Sequence, residues 1–186
     1  TVIRQKNLNS GDVQSIAEKI LSQMPPEFQE TSYIAQASAS FGRDTSKVSI
    51  HIFMFLTVPI PPKALKLWLN AANFETQLFT NNLTLSSNGQ SLSYPLDVSI
   101  SENSKTVFIA PPTFDPVEDD PFDSKDDRIV LVKRKKHHID LARFMNDINP
   151  ESVFQKTVEA KNNLRSQSGL SRKKSQIKNI KVGMQI

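Results

Sequence analysis

The chain carries three histidines, His51, His137 and His138, among 186 residues, and these are its only side chains whose ordinary titration falls near neutral pH. His51 stands beside Ser49 in a run of alternating apolar residues, a setting that suits a hydrogen-bonded structural histidine. His137, His138 and Asp140 offer imidazole and carboxylate to a metal, but adjacent residues point apart and no second cluster completes a tetrahedral set. Cysteine is absent, which excludes thiol nucleophiles, disulfides, cysteine-held zinc and iron–sulfur clusters. The five glycines are too far apart to cradle a phosphate, so P-loop and dinucleotide fingerprints are excluded as well. There is no Gly-x-Ser-x-Gly elbow and no His-Glu-x-x-His, and outside residues 111–127 the carboxylates are too scattered to nominate an acid/base pair. The expectation is a protein that is not an enzyme, with no cofactor, no metal and no small-molecule substrate.

Charge is the more informative chemistry. The net charge is +4, yet residues 156–186 hold eight Lys and Arg against Glu159 alone, a balance of +7, so residues 1–155 carry −3. The basic C-terminal segment, with Arg165, Arg172, Lys173, Lys174, Lys178 and Lys181, suits phosphate backbones or anionic headgroups, where counterion release drives binding without a pocket. A second run, Lys133, Arg134, Lys135 and Lys136, follows an apolar strand and has a fixed direction, so it can form a rigid part of the same nucleic-acid surface or blunt a sheet edge. Both runs also match nuclear-localisation patches, a pattern of low specificity. Against them stands residues 111–127, with four prolines and seven acids to one lysine, which reads as an exposed loop without regular structure. Asp119, Asp120, Asp126 and Asp127 could dock the basic segment of a neighbouring copy, giving salt-sensitive self-association. Asp120-Pro121-Phe122 resembles the short motif bound by clathrin-adaptor appendages, which makes Phe122 a candidate recognition residue. No EF-hand pattern of alternating ligands is present.

The elements that would position these groups are legible in part. Val13, Ile16, Ala17, Ile20, Leu21 and Met24 fall at helical spacing after Asp12, and Pro25-Pro26 ends that helix. Residues 27–46 fit a short strand or a loop. From Lys47 to Val58 apolar residues alternate and then occupy both faces, which predicts one long strand, central from Ile52 onward. Leu65, Trp68, Leu69 and Ala72 mark a helix over 63–74. Asn88-Gly89 predicts a two-residue hairpin turn that sets Leu85 opposite Leu92 and Leu83 opposite Tyr94. A second hairpin is expected at Asn103-Ser104, with Ile100 facing Val107 and Val98 facing Ile109. Ile129–Val132 is a further strand, and Leu141, Phe144, Met145 and Ile148 give a helix face. Asn149-Pro150-Glu151 then opens a helix to about Arg165.

Together these predict an α+β protein, an antiparallel β meander of five to six strands flanked by helices. The organisation expected is an N-terminal helical and polar segment (1–46), an α+β core (47–165) and a flexible basic tail (166–186). No stretch reaches the roughly 20 apolar residues of a membrane helix, and the N-terminal residues lack the apolar run of a secretory signal. With no cysteine, an intracellular, cytoplasmic setting is expected, or a virion if the protein is viral, and a nuclear one is compatible with the basic runs. In composition the chain resembles a viral coat, nucleocapsid or matrix protein. The functional expectation is a structural or assembly protein that binds RNA or another anionic polymer through its basic arm and forms a homo-oligomer, with contact to an anionic membrane surface as a variant of the same electrostatics. The alternative is a protein-interaction adaptor that uses the acidic Pro/Phe loop.

Overall fold

A computed structural model describes residues 8–42, 47–115 and 120–168. Helix α1 (Ser10–Leu21) begins at Asn9, whose side chain accepts from the Gly11 N–H at 2.8 Å while the Asp12 carboxylate accepts from the Asn9 N–H at 2.9 Å. This capping box starts the helix at Ser10, two residues ahead of Asp12. Val13, Ala17 and Leu21 are buried, and the stripe they form lies on a three-stranded antiparallel sheet. The middle strand is β1 (Tyr33–Ala37), paired with β2 (Ile50–Phe53) on one side and β6 (Ile129–Val132) on the other. Ala35 stands opposite Ile52 and Val130, so Tyr33, Ala35, Ala37, Ile50, Ile52, Val130 and Val132 share the covered face. The other face carries Ile34, Gln36, His51, Phe53, Ile129 and Leu131. Gln36 is buried there and donates to the Ile109 carbonyl at 2.7 Å, whereas Ile129 and Leu131 are 46% and 60% exposed.

The class is α+β, but the single meander is not formed. Beside the three-stranded sheet stand two two-stranded pairs, β3 (Phe55–Leu56) parallel to β7 (His138–Ile139) and β4 (Thr84–Leu85) antiparallel to β5 (Leu92–Ser93). The run 47–58 is not one central strand. Phe53 already faces Ile34, which leaves β1 a single residue to offer Met54, so the chain changes partner and the Thr57 N–H bonds the Ile139 carbonyl at 2.9 Å. Phe55, placed in a central strand by its pattern, is 70% exposed.

Three helices, Ser10–Leu21, Pro62–Ala72 and Pro150–Gln167, follow the sequence closely, whereas two short ones, Pro26–Glu30 and Gln77–Thr80, are not foreseen by it. Helix α2 (Pro26–Glu30) restarts the chain after Pro25, and α3 (Pro62–Ala72) buries Trp68, Leu69 and Ala72 as its spacing requires. Trp68 stacks on Phe28 with ring centroids 5.6 Å apart, and the Phe144 ring, tilted, lies 5.9 Å from that of Phe28. Helix α4 (Gln77–Thr80) is a single turn capped by Thr76. Helix α5 (Pro150–Gln167) is capped by Asn149, whose side chain accepts from the Glu151 and Ser152 N–H groups at 2.9 and 3.2 Å. It continues two residues past Arg165, into the segment expected to be tail.

The predicted register of the β4–β5 hairpin, Leu85 opposite Leu92, is the one observed. The turn is longer than two residues, because Ser86 closes on Ser91 (N to O 2.8 Å) and the Gly89 N–H bonds the Ser86 carbonyl at 2.7 Å. Asn88 accepts from the Ser86 hydroxyl at 2.8 Å and the Gln90 N–H at 3.0 Å, which stabilises four loop residues in place of two. Gly89 has φ +67°, so Gly89→Val should destabilise the protein by about 1 kcal/mol or more. Urea denaturation checks this; an unchanged midpoint would show that the loop reshapes without strain.

The second hairpin does not form. Asp97 accepts from the Ser99 N–H at 2.9 Å and the Ser101 hydroxyl donates to the Val98 carbonyl, so Val98–Ser101 becomes a 3₁₀ turn. Burial raises the Asp97 carboxyl pKa, but hydrogen bonds from Ser99 and the nearby Lys105 outweigh it and hold the group below its ordinary value. Phe108 and Ile109, the proposed partner strand, are exposed. Nor do residues 138–148 form an α-helix. His138 and Ile139 are spent in β7, and what remains is one 3₁₀ turn (Ala142–Phe144), although Leu141 is buried and Phe144, Met145 and Ile148 pack on the core as their spacing implied. Among the described residues no helix is long and apolar enough to cross a membrane.

Candidate nucleic-acid interface

Strand β6 runs directly into Lys133–Lys136, and the backbone of this basic run is held in place. The Arg134 N–H bonds the Ser32 hydroxyl at 2.9 Å, the Ser32 N–H bonds the Lys136 carbonyl at 2.7 Å, and the Lys136 N–H bonds the Glu30 carbonyl at 3.0 Å. Thr31 and Lys136 thereby form an isolated parallel bridge beside α2. The alternation of side chains continues out of the strand and sorts the four cations. Arg134 pairs with Glu18 of α1, and Lys136 pairs with Glu30 at 2.7 Å. That contact, by hydrogen bond and charge, holds the Glu30 carboxyl below its ordinary pKa. Burial beside Glu18 pushes the Tyr33 phenol above its ordinary value. Arg143 likewise reaches Glu27 at 3.2 Å. The helix side of the run is therefore close to charge-neutral. Lys133 and Lys135 are exposed and have no ion-pair partner among the described residues. His137 and His138 extend the exposed strip, with the His138 ring 6.0 Å from Phe55.

The described groups among the other sequence-nominated residues are not brought to this strip. Arg165 donates from Nε to the Gly89 carbonyl at 2.9 Å and ties α5 to the β4–β5 loop. Arg172, Lys173, Lys174, Lys178 and Lys181 lie outside the described residues, as does Asp119. His51 is half-buried on the sheet, its ring 6.1 Å from that of Phe53.

The acidic segment differs from an exposed, irregular loop. Pro121 and Phe122 are buried, the Leu8 N–H bonds the Pro121 carbonyl at 3.0 Å, and Phe122 packs against Phe41 with ring centroids 5.6 Å apart. Asp120 accepts from the Phe122 N–H at 3.0 Å and forms an ion pair with Arg128. Arg128 is 1% exposed, donates to the Ser38 carbonyl at 3.2 Å, and sits 4.5 Å from the Phe122 ring centroid and 5.1 Å from that of Phe114. Asp120 and Phe122 are thus engaged inside the fold. Asp126 and Asp127 open a 3₁₀ turn (Lys125–Arg128) at the start of β6, with Asp126 exposed and Asp127 half-buried. The buried arginine had one readable signal, a lone Arg between Asp127 and the apolar run 129–132, which the surrounding acids disguised as surface.

Among the described residues no three His, Asp or Glu side chains gather as a metal site would require. An open groove of about 520 Å³ between α4 and α5 places Lys156 and Glu159 beside Phe74, Leu83 and Leu164. These two charges are one helical turn apart, the spacing of a surface ion pair. Comparison of the chain with protein-family models, with curated proteins and with solved structures finds no match in any of the three.

Proposed function

We propose that the protein is a non-enzymatic structural or assembly protein that binds an anionic polymer, single-stranded RNA above all, and associates with itself through its folded body. The observation that carries this reading is the sorting of the cations after β6. Arg134 and Lys136 are neutralised by Glu18 and Glu30, whereas Lys133 and Lys135 are held out on a backbone fixed by three hydrogen bonds. Such a strip meets phosphates without first ordering its own chain, which lowers the entropic cost of binding. The excess positive charge of residues 156–186 is a second source of attraction for phosphates. Few aromatic side chains accompany these cations, so recognition is electrostatic rather than sequence-reading.

Fluorescence anisotropy of a labelled single-stranded RNA, titrated at several salt concentrations, tests the proposal. Replacing Lys133 and Lys135 with Ala should reduce the slope of log K against log salt by about 0.7 for each of the two that meets a phosphate. Removing residues 169–186 should reduce it by up to about 3.5, since five positive charges leave. Folding stability should change little in the lysine variants, because neither side chain makes an ion pair among the described residues and the attraction of Lys135 to Glu30 acts at an exposed carboxylate. Absence of binding at low salt would overturn the RNA reading. The adaptor reading would then be tested by capture that survives nuclease and depends on Asp126 and Asp127, since Phe122 would have to leave the core to be grasped.

A further inference from the structure

Strand β6 is an edge strand, paired with β1 on one side and with no strand among the described residues on the other. Its exposed row is Ile129 and Leu131 with Lys133 just beyond the strand, and Asp127 precedes it, half-buried in the 3₁₀ turn, so that two exposed apolar side chains are flanked in sequence by an acid at one end and a cation at the other. Edge strands are normally blunted by an inward charge, a proline or a bulge, and none of these lies within Ile129–Val132. The order of charges along the row is self-complementary under a two-fold rotation. If two copies of β6 pair antiparallel about Val130, Ile129 of one meets Leu131 of the other, and Asp127 meets Lys133 at both ends. Neither Asp127 nor Lys133 has an ion-pair partner among the described residues.

We propose that the β6 edge is a homodimer interface, in which two copies join their three-stranded sheets into one six-stranded sheet by antiparallel β6–β6 pairing, with Asp127 of each copy against Lys133 of the other. This rests on the self-association part of the functional reading and names its surface. A second copy fits better than an unrelated peptide because the match is made by the charges of this chain alone. A two-fold axis repeats each contact, so one charge change alters two pairs. In this pairing helix α1 covers the same face of both sheets. In the dimer Lys133 is held by Asp127, and Lys135 is the strip's remaining free cation, which sets the lysine share of the RNA salt slope at the lower figure, about 0.7.

The test is sedimentation equilibrium of the full chain without RNA, at low and moderate salt. Asp127→Lys and Lys133→Asp should each weaken dimerisation about tenfold or more, because two attractions become two repulsions. The doubly reversed variant should recover the wild-type constant to within about threefold. Leu131→Lys should also abolish the dimer, and circular dichroism reports whether each variant remains folded. A wild-type chain that stays monomeric at all concentrations overturns both the interface and the self-association reading. A dimer that ignores the charge reversals, or that falls to Phe53→Lys with β6 intact, overturns the interface alone and shows that the open sheet face is the contact.

Discussion

Asp120→Ala is expected to destabilise the protein by about 3–5 kcal/mol, because it leaves the Arg128 guanidinium charged and unpaired in the core. The loss should appear as a lower urea midpoint with an unchanged slope, and a changed slope would mean that the native or denatured ensemble had been altered as well. The origin of the loss can be separated from the pair's own contribution. Buried ion pairs are often no better than apolar residues of the same size, so Asp120→Leu combined with Arg128→Met should be less destabilising than Asp120→Ala alone. Equal losses for the two variants would show that the packing of Arg128 against Phe114 and Phe122, rather than its charge, dominates. The side chains involved join four parts of the chain: Ser38 after β1, Phe114, the Asp120–Phe122 segment and the start of β6. An acidic stretch that looks like solvent-facing linker is therefore one of the fold's internal joints.

Phe28→Ala should destabilise by about 3–5 kcal/mol through lost burial and a cavity that the neighbouring rings cannot close. Phe28 is 6% exposed and packs against both Trp68 of α3 and Phe144. Trp68 is the only tryptophan, so its emission should shift to the red as water reaches the vacated space. Phe154, 63% exposed on α5, supplies the contrast. Phe154→Ala should stay within about 0.5 kcal/mol of the wild type. A comparable loss at both positions would mean that α5 buries its outer side against something else.

Where local chemistry is strong the sequence is readable. Asn149-Pro150-Glu151 places the start of α5, and the Leu85–Leu92 register follows from a glycine turn and two apolar residues at matching distances. The central strand is not readable, because Tyr33–Ala37 buries two alanines on its covered face and lacks the β-branched run of a typical middle strand. Small residues suit that position once α1 lies across it, a tertiary reason with no local signature. The 47–58 run misleads for the complementary reason. Its alternation is genuine, but where it changes partner depends on the length of β1, which is set elsewhere. For the interface, the clustering of Lys133–Lys136 is legible, while the pairing that separates Lys133 and Lys135 from Arg134 and Lys136 requires knowing that Glu18 and Glu30 lie beside β6. The burial of Phe122 is not legible because composition describes a segment and not the residues in it that face inward.

The position of β1 between β2 and β6 also sets the order in which the chain can fold. Pairing with β2 joins Ile34 to Phe53, which is nearly local, whereas pairing with β6 joins Tyr33 to Val132 across almost a hundred residues. During synthesis the first pairing can close while the third strand is still inside the ribosome, so the nascent protein presents the unpaired side of its own middle strand for several seconds at about 5–20 residues per second. Closure over that distance must precede the contacts that repay it, which makes the last strand's arrival the slow event. For a cell making many copies at once, that interval is when one chain's β6 can reach another chain's β1, and when the chain is most exposed to exchanging strands with its neighbours.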